Sequence, residues 1–227
     1  MGTLFEFDDV WVQHEQTDVL AGVSVSFAEE GITAIVGPSG SGKSTLLRCC
    51  NRLEVPTAGV VRYRGRDVNE LDPLQHRRRV AMVFQAPATF PGSALDNVRI
   101  AAPDLTRDRA LELLDRVGLD QELADRSADR LSGGEAQRLV IARALATEPE
   151  VLLADEPTSA LDPQATGRLE RLVRALADAA TPVLWVTHDR AQVQRLADHV
   201  VALRRGSVEW TGDRSQLELI PGSNDAE

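Results

Sequence analysis

A glycine-rich segment near the start of the chain constrains the fold more than any other feature of the sequence. It follows a short apolar run from Ile32 to Val36 and precedes a helix predicted from Ser44 to Asn51. A strand that passes through a flexible loop into a helix brings backbone N–H groups and the positive helix N-terminus to one point. The segment therefore predicts a phosphate-binding site in an α/β fold, built from Gly37, Pro38, Ser39, Gly40, Ser41, Gly42, Lys43, Ser44 and Thr45.

The spacing Gly-x-x-x-x-Gly-Lys-Ser is that of the nucleotide-binding P-loop. Spacing and strand–loop–helix context both fit, which disfavours a plain glycine turn at a helix start. In a P-loop, Lys43 should reach the β- and γ-phosphates, Ser44 should ligate Mg²⁺, and Thr45 should help hold the phosphates. ATP is therefore the expected ligand and Mg²⁺ the expected cofactor.

Lys43 is also the one lysine among the 25 basic residues of the chain, and the other 24 are arginines. Coding bias explains the arginines but leaves open why one position kept lysine. The lysine ammonium is compact, whereas the planar guanidinium fork of arginine is larger. We interpret Lys43 as a point charge that fits inside a cage of backbone groups around phosphate.

Composition excludes several classes of function. The net charge of −10, with no basic run longer than Arg77–Arg79, argues against nucleic-acid binding. No apolar stretch approaches the roughly 20 residues that span a bilayer, and the acidic start lacks the pattern of a signal peptide. The adjacent Cys49 and Cys50 favour buried, reduced thiols over a disulfide framework. A cytoplasmic protein is expected.

The remaining apolar runs predict two sheets. Leu4–Val12 and Val19–Phe27 are rich in β-branched and aromatic residues, with some alternation, and predict two strands of an edge sheet. Short apolar strands alternate with helical stretches elsewhere, which predicts a parallel sheet. These strands are Val80–Phe84, Val151–Ala154 and Val183–Thr187.

The apolar period becomes helical in the middle of the chain, where Ala110, Leu113, Leu114 and Val117 lie on one face of a helix that Gly118 ends. We predict a single domain over residues 1–227. It comprises the β subdomain and core over about 1–85, a helical insertion over about 86–145, and further core over about 146–227. The short polar tail after Ile220 is expected to fray.

Two carboxylates, Asp155 and Glu156, follow the apolar strand Val151–Ala154. Strand alternation predicts that they point to different sides. Asp155 is suited to holding Mg²⁺, directly or through water, and Glu156 can polarise the water that attacks the γ-phosphate. A strand that merely ends in surface acids is the alternative, and the upstream P-loop disfavours it.

A second glycine motif lies at the start of a helix that runs to about Thr147, and its helix end can also bind an anion. Its key residues are Ser132, Gly133, Gly134 and Glu135. Together with the P-loop, they resemble the signature of ABC-type ATPases. The resemblance covers almost the whole chain in order: P-loop, Gln85, signature, acid pair, Ser159-Ala160-Leu161-Asp162 and His188.

The resemblance implies a P-loop NTPase fold with a RecA-like parallel sheet, an N-terminal antiparallel β subdomain and an inserted α-helical subdomain. It implies that Gln85 senses Mg²⁺ and nucleotide near a membrane partner, and that Asp162 lies in a loop that crosses between subunits. His188 resembles the switch histidine that contacts the γ-phosphate. Lys43, Glu156 and His188 are then the catalytic residues, and Ser44, Gln85 and Asp155 hold the metal.

The resemblance also implies an assembly. Residues 132–135 of one subunit would cover the ATP held by Lys43 of another, so that two ATPs join a head-to-tail dimer whose closure drives transport. A separate transmembrane permease would then be needed, docked on the helical insertion near Phe90-Pro91. The chain would be cytoplasmic and peripheral on the inner face of the membrane.

One departure from the family concerns adenine, on which an aromatic residue of the first strands usually stacks. Alignment of those strands places His14 at that position, and Trp11 is the other candidate. An imidazole can stack, though over less area than a tyrosine ring. Adenine would therefore stack on a smaller ring than is usual in the family, while the phosphate loop follows the family's pattern.

Other functions stay open. A non-transport ABC ATPase of DNA repair or translation is the runner-up, although the chain has neither a long coiled coil nor two cores. A small P-loop kinase or GTPase is disfavoured by the signature motif and by His188. For substrate, Arg48-Cys49-Cys50-Asn51-Arg52-Leu53 resembles phosphate importers, whereas Val183–Asp189 is more similar to an iron-export subgroup. The sequence leaves substrate, direction of transport and permease identity undecided.

Overall fold

The computed structural model describes residues 2–219, which form an antiparallel sheet and a larger, mostly parallel sheet. The predicted α/β class with an N-terminal antiparallel sheet is confirmed. The predicted polar tail after Ile220 lies outside the described residues. Within residues 2–219, no helix is long and apolar enough to cross a membrane.

The antiparallel sheet has the strand order β2-β1-β4-β5. Its two long strands extend beyond the predicted limits because their exposed ends still pair with each other, Gln13 with Asp18 and His14 with Thr17. The phenylalanines Phe5, Phe7 and Phe27 point into the core from one face. The strands are β1 (Thr3–His14), β2 (Thr17–Ala28), β4 (Ala58–Tyr63) and β5 (Arg66–Asp67).

The main sheet has the order β10-β9-β3-β8-β7-β6 and is parallel except at the β10 edge. Every residue of β7 and β8 is buried, as expected for strands covered by helices on both faces. The strands are β3 (Ile32–Val36), β6 (Val80–Val83), β7 (Val151–Asp155), β8 (Val183–Val186), β9 (His199–Arg204) and β10 (Ser207–Asp213).

Helix α1 (Lys43–Cys50) lies between the two sheets and buries Leu46, Leu47 and both cysteines in their shared core. The opposite face of the main sheet is covered by α6 (Pro163–Asp178) and by helices from the middle of the chain. Burial on both sides fixes α1, and with it the loop that precedes it.

Three helices lie between β6 and β7: α3 (Ala94–Ala101), α4 (Arg107–Arg116) and α5 (Gly133–Leu145). Helix α4 has the predicted apolar face and ends before Gly118, whose φ is 75°. Helix α3 was not predicted, because its eight residues are too few to show a clear period. The short helix α2 (Pro73–Arg79) was missed for the same reason.

A buried polar network joins the main sheet to its helices. Trp185 on β8 donates its indole N–H to Gln192 Oε1 at 2.9 Å, and Gln192 lies on α7 (Arg190–Leu196). Gln192 in turn donates to Glu170 Oε1 on α6 at 3.1 Å. The network fixes the turn between β8 and α7, where His188 lies.

We predict that Trp185→Phe destabilises the fold by about 1–3 kcal/mol, because it leaves the buried Gln192 oxygen without its donor. Urea denaturation followed by circular dichroism measures the change. Trp11→Phe is the matched control: Trp11 is partly exposed, donates to Asp9, and should cost about 0.5 kcal/mol or less. Equal losses in the two variants would contradict a role for the network.

Candidate functional site

The polar residues predicted to act on nucleotide follow four adjacent parallel strands. The glycine-rich loop follows β3, His188 follows β8, Glu156 follows β7 and Gln85 follows β6. Because parallel strands end at the same edge of a sheet, these groups meet there. They line a cavity of about 450 Å³ together with Val19 of β2.

The loop before α1 needs glycine where its backbone passes close to other strands. Gly37 has φ 146°, and a Cβ there would lie 2.1 Å from the Leu203 carbonyl oxygen of β9. Gly42 has φ 101°, and a Cβ would lie 2.8 Å from the Val19 carbonyl oxygen. Tight packing of the loop against β2 and β9 therefore directs its remaining polar groups toward the cavity.

Lys43 is almost fully buried at the first position of α1. Its ammonium donates to the carbonyl oxygens of Gly37 at 2.9 Å and Pro38 at 2.8 Å. Burial lowers the pKa of Lys43, while the carboxylates of Glu156 and Asp155 act in the opposite direction. The ammonium thus lies inside its own loop, held by backbone oxygens.

Asp155 ends β7 and is buried beside α1, where its Oδ1 accepts a hydrogen bond from the Ser44 hydroxyl at 3.0 Å. Burial raises the pKa of Asp155, and the bond from Ser44 opposes this rise. A hydroxyl and a carboxylate are the oxygen donors that Mg²⁺ takes from a protein when phosphates and water complete its shell. The two side chains fit that cofactor.

Glu156 points away from Asp155 for a reason other than the predicted strand alternation. Strand β7 ends at Asp155, and Glu156 has φ 45°, in the left-handed region that non-glycine residues rarely adopt. Its Oε2 accepts a hydrogen bond from Gln85 Nε2 at 3.3 Å and lies 3.4 Å from His188 Nδ1. The turn brings the Glu156 carboxylate to the cavity between two polar side chains.

The second glycine motif lies at a distance from this cavity, and none of residues 132–135 is among the described residues that line it. Ser132 caps α5 in a capping box: its hydroxyl accepts from Glu135 N at 3.3 Å, and Glu135 Oε2 accepts from Ser132 N at 2.7 Å. These bonds to Ser132 lower the pKa of Glu135. The motif therefore presents an exposed, ordered helix N-terminus.

Asp162 begins α6 by accepting a hydrogen bond from Ala165 N at 2.9 Å. The loop before it approaches the second glycine motif, since a Cβ on Gly134 would lie 3.3 Å from the Ala160 carbonyl oxygen. The loop predicted to cross between subunits thus neighbours the start of α5.

His14 is not among the residues that line the cavity. It is half exposed at the end of β1, and its Nε2 lies 3.1 Å from Glu54 Oε2. Adenine stacking by His14 stays a prediction. Val19 lines the cavity but was not predicted to do so, because nothing in the sequence distinguishes it from the other valines of β2.

Comparison with known proteins identifies the family. The model of the ABC transporter family matches residues 20–159, which is more than half of the chain. The chain is 40% identical to the phosphate import ATP-binding protein PstB of Thermotoga maritima, over 96% of the chain and 94% of that protein. It is 42% identical to protein STAR1 of Oryza sativa subsp. japonica, over 91% of the chain but only 59% of that protein.

Solved structures agree with this relationship. The dimeric structure of MJ0796, a bacterial ABC transporter cassette, matches with a TM-score of 0.86 and 31% identity, over 93% of the chain and 99% of that one. CbiO1 from Clostridium perfringens, part of the ABC transporter complex cbiONQ, matches with a TM-score of 0.84 and 26% identity. The match covers 96% of this chain and 92% of the cbiO1 chain. The chain therefore belongs to the ABC transporter family, as an ATP-binding and ATP-hydrolysing cassette.

Proposed function

We propose that two copies of this chain close over two ATP molecules and thereby drive a separate transmembrane permease. Each ATP would contact the P-loop of one copy and residues 132–135 of the other. The dimeric MJ0796 cassette and the membership of cbiO1 in the cbiONQ complex support such an assembly. In that assembly the chain would be peripheral on the cytoplasmic face of a membrane.

The observation that carries this proposal is the empty space around Gly133. A Cβ on Gly133 would meet no described atom within 4 Å, beyond its own helix and chain neighbours, and its φ lies outside the left-handed region. The fold of the single chain therefore does not require glycine there, in contrast to Gly37. A missing side chain on an exposed helix N-terminus leaves its N–H groups open to a phosphate that a second subunit brings.

At the P-loop, the phosphates would take over the Lys43 hydrogen bonds that Gly37 and Pro38 now accept. Mg²⁺ would be held by Ser44 and Asp155 with Gln85 nearby, and it supplies positive charge against the phosphate oxygens. Gly37–Gly42 orient the phosphates through backbone N–H groups, and the N-terminus of α1 adds its dipole.

For hydrolysis, Glu156 would accept a hydrogen bond from the attacking water and His188 would donate one to the γ-phosphate. A neutral imidazole can donate one such bond. Gln85 and His188 already contact Glu156, so they hold its carboxylate in place. Catalysis would then rest on positioning and on charge stabilisation.

The permease would dock on the helical insertion over about 86–145. Phe84 and Phe90 are both exposed large apolar residues, and they bracket the segment that begins at Gln85. A partner bound there would sense the state of the cavity through Gln85. Among substrates, phosphate is supported by the name of PstB, but transport specificity would reside in the permease.

We predict that Lys43→Arg lowers ATP hydrolysis about 100-fold or more, although the charge is kept, because the guanidinium does not fit the space that the ammonium occupies. A phosphate-release assay with ATP and Mg²⁺ measures the rate. Arg116→Lys, an exposed exchange on α4, is the matched control and should leave the rate unchanged. A Lys43→Arg rate near that of the wild type would refute this account of the loop.

We predict that Glu156→Gln slows hydrolysis about 10²- to 10⁴-fold and traps an ATP-bound dimer, because the carboxylate that polarises water is lost while binding groups remain. Size-exclusion chromatography with light scattering, in ATP and Mg²⁺, measures the mass. The double variant Glu156→Gln with Lys43→Ala is the control and should stay monomeric. A monomer in saturating ATP would contradict the proposed assembly.

We predict that His14→Ala weakens ATP binding by about 1 kcal/mol, or about fivefold, because a stacking surface for adenine is lost. Isothermal titration calorimetry measures the affinity. Gln13→Ala, the exposed neighbour, is the control. Unchanged affinity in His14→Ala would remove His14 from the ATP site.

A further inference from the structure

The turn between β9 and β10 packs against two parts of the nucleotide cavity, the P-loop and strand β2. Arg204 and Ser207 pair across it, so that Arg205 and Gly206 alone form the turn. Both have positive φ, 50° and 80°, which is the backbone of a tight two-residue hairpin. A Cβ on Gly206 would lie 2.8 Å from the Val19 carbonyl oxygen, so the tip of the hairpin packs closely on β2.

The hairpin meets the P-loop at both ends of the loop. Gly206 N donates to the carbonyl oxygen of Ser41, near the end of the loop, at 3.1 Å. The carbonyl oxygen of Leu203 lies against Gly37, at the start of the loop, where a Cβ would be 2.1 Å away. Backbone groups of the hairpin therefore place the phosphate-binding loop.

The same turn holds strand β2 at Ala21. Ala21 N donates to the Gly206 carbonyl oxygen at 2.9 Å, and the Ser207 hydroxyl donates to the Ala21 carbonyl oxygen at 2.9 Å. A β-bulge lies at this point, since Ala21 and Gly22 together stand opposite Trp11 on β1. A bulge leaves one residue without a ladder partner on the neighbouring strand. Both backbone groups of Ala21 bind the turn.

Val19, two residues before Ala21, lines the cavity from β2. Its carbonyl oxygen also lies against the P-loop, because a Cβ on Gly42 would be 2.8 Å away. One turn thus holds both β2 and the P-loop. Among residues 2–219, the Ser207 hydroxyl is the side-chain group that bonds across this junction, and the other bonds are made by backbone groups.

We propose that Ser207 is a positioning residue for nucleotide. Its hydroxyl fixes β2, which belongs to the sheet that carries the predicted adenine side, relative to the P-loop, which binds the phosphates. A nucleotide must fit both parts at once, so a shift of β2 lowers the affinity for ligands that carry a base and a sugar. Phosphate binding needs the P-loop alone, and backbone contacts from Leu203 and Gly206 still place that loop without the hydroxyl. This inference rests on the proposed function in one respect, the placement of adenine on the first strands.

The test compares ADP with inorganic pyrophosphate, each with Mg²⁺, by isothermal titration calorimetry on the full chain. ADP has no γ-phosphate to be hydrolysed, and pyrophosphate probes the phosphate-binding part alone. Ser207→Ala removes the donor to the Ala21 carbonyl oxygen. We expect the Kd for ADP to rise about fivefold, the effect of one lost hydrogen bond, and the Kd for pyrophosphate to change by less than about twofold.

Three further variants separate positioning from packing. Ser207→Thr keeps the hydroxyl and should restore the wild-type affinity for ADP. Ser26→Ala removes an exposed hydroxyl further along β2 and should change neither affinity. Val19→Ala removes the β2 side chain that lines the cavity. With Val19→Ala present, Ser207→Ala should have no further effect on ADP affinity, because both changes act through the same strand.

The results separate the inference from the proposed function. An unchanged Kd for ADP in Ser207→Ala, or an equal rise for ADP and pyrophosphate, overturns the inference and leaves the proposed function standing. The same holds if Ser207→Thr binds ADP as weakly as Ser207→Ala, or if the full effect of Ser207→Ala persists beside Val19→Ala. If the wild type binds ADP no more tightly than pyrophosphate, the placement of adenine on the first strands fails and the inference fails with it.

Discussion

Four adjacent parallel strands end at one edge of the main sheet, and the candidate active site depends on that arrangement. The P-loop, His188, Glu156 and Gln85 come from distant parts of the chain and share only this edge. Burial of β7 and β8 on both faces holds the strand ends in register. The polar groups are thereby ordered before any nucleotide binds.

Glu156 is where the contacts of the cavity converge. Its left-handed backbone turns the carboxylate away from Asp155, so that neighbouring acids serve different partners. The Asp155 carboxylate accepts a hydrogen bond from Ser44, the other residue that fits Mg²⁺, while the Glu156 carboxylate contacts Gln85 and His188. The strained backbone of Glu156 thus keeps its own carboxylate, which is suited to polarising water, apart from the carboxylate of Asp155, which is suited to holding Mg²⁺.

Helix α5 carries the second anion-binding end of the proposed dimer at its N-terminus. Ser132 and Gly133 lie at this end, and further along the helix Gln137 and Arg143 donate hydrogen bonds to the carbonyl oxygens of Phe84 and Ala88. The helix that carries the second glycine motif is thereby attached to the segment that leaves β6 at the cavity.

The sequence by itself determined the phosphate loop, the acid pair and the second glycine motif, because each depends on residue types at fixed short spacings. It also predicted most strands and α4, whose apolar periods are clear. The places of Val19 at the cavity and of Arg143 against the segment after β6 could not be predicted, since they arise from contacts between residues far apart in the chain. Only the tertiary structure decided that Glu156 turns by its backbone and that Gly133 faces open space, because positive φ and empty volume depend on what packs nearby.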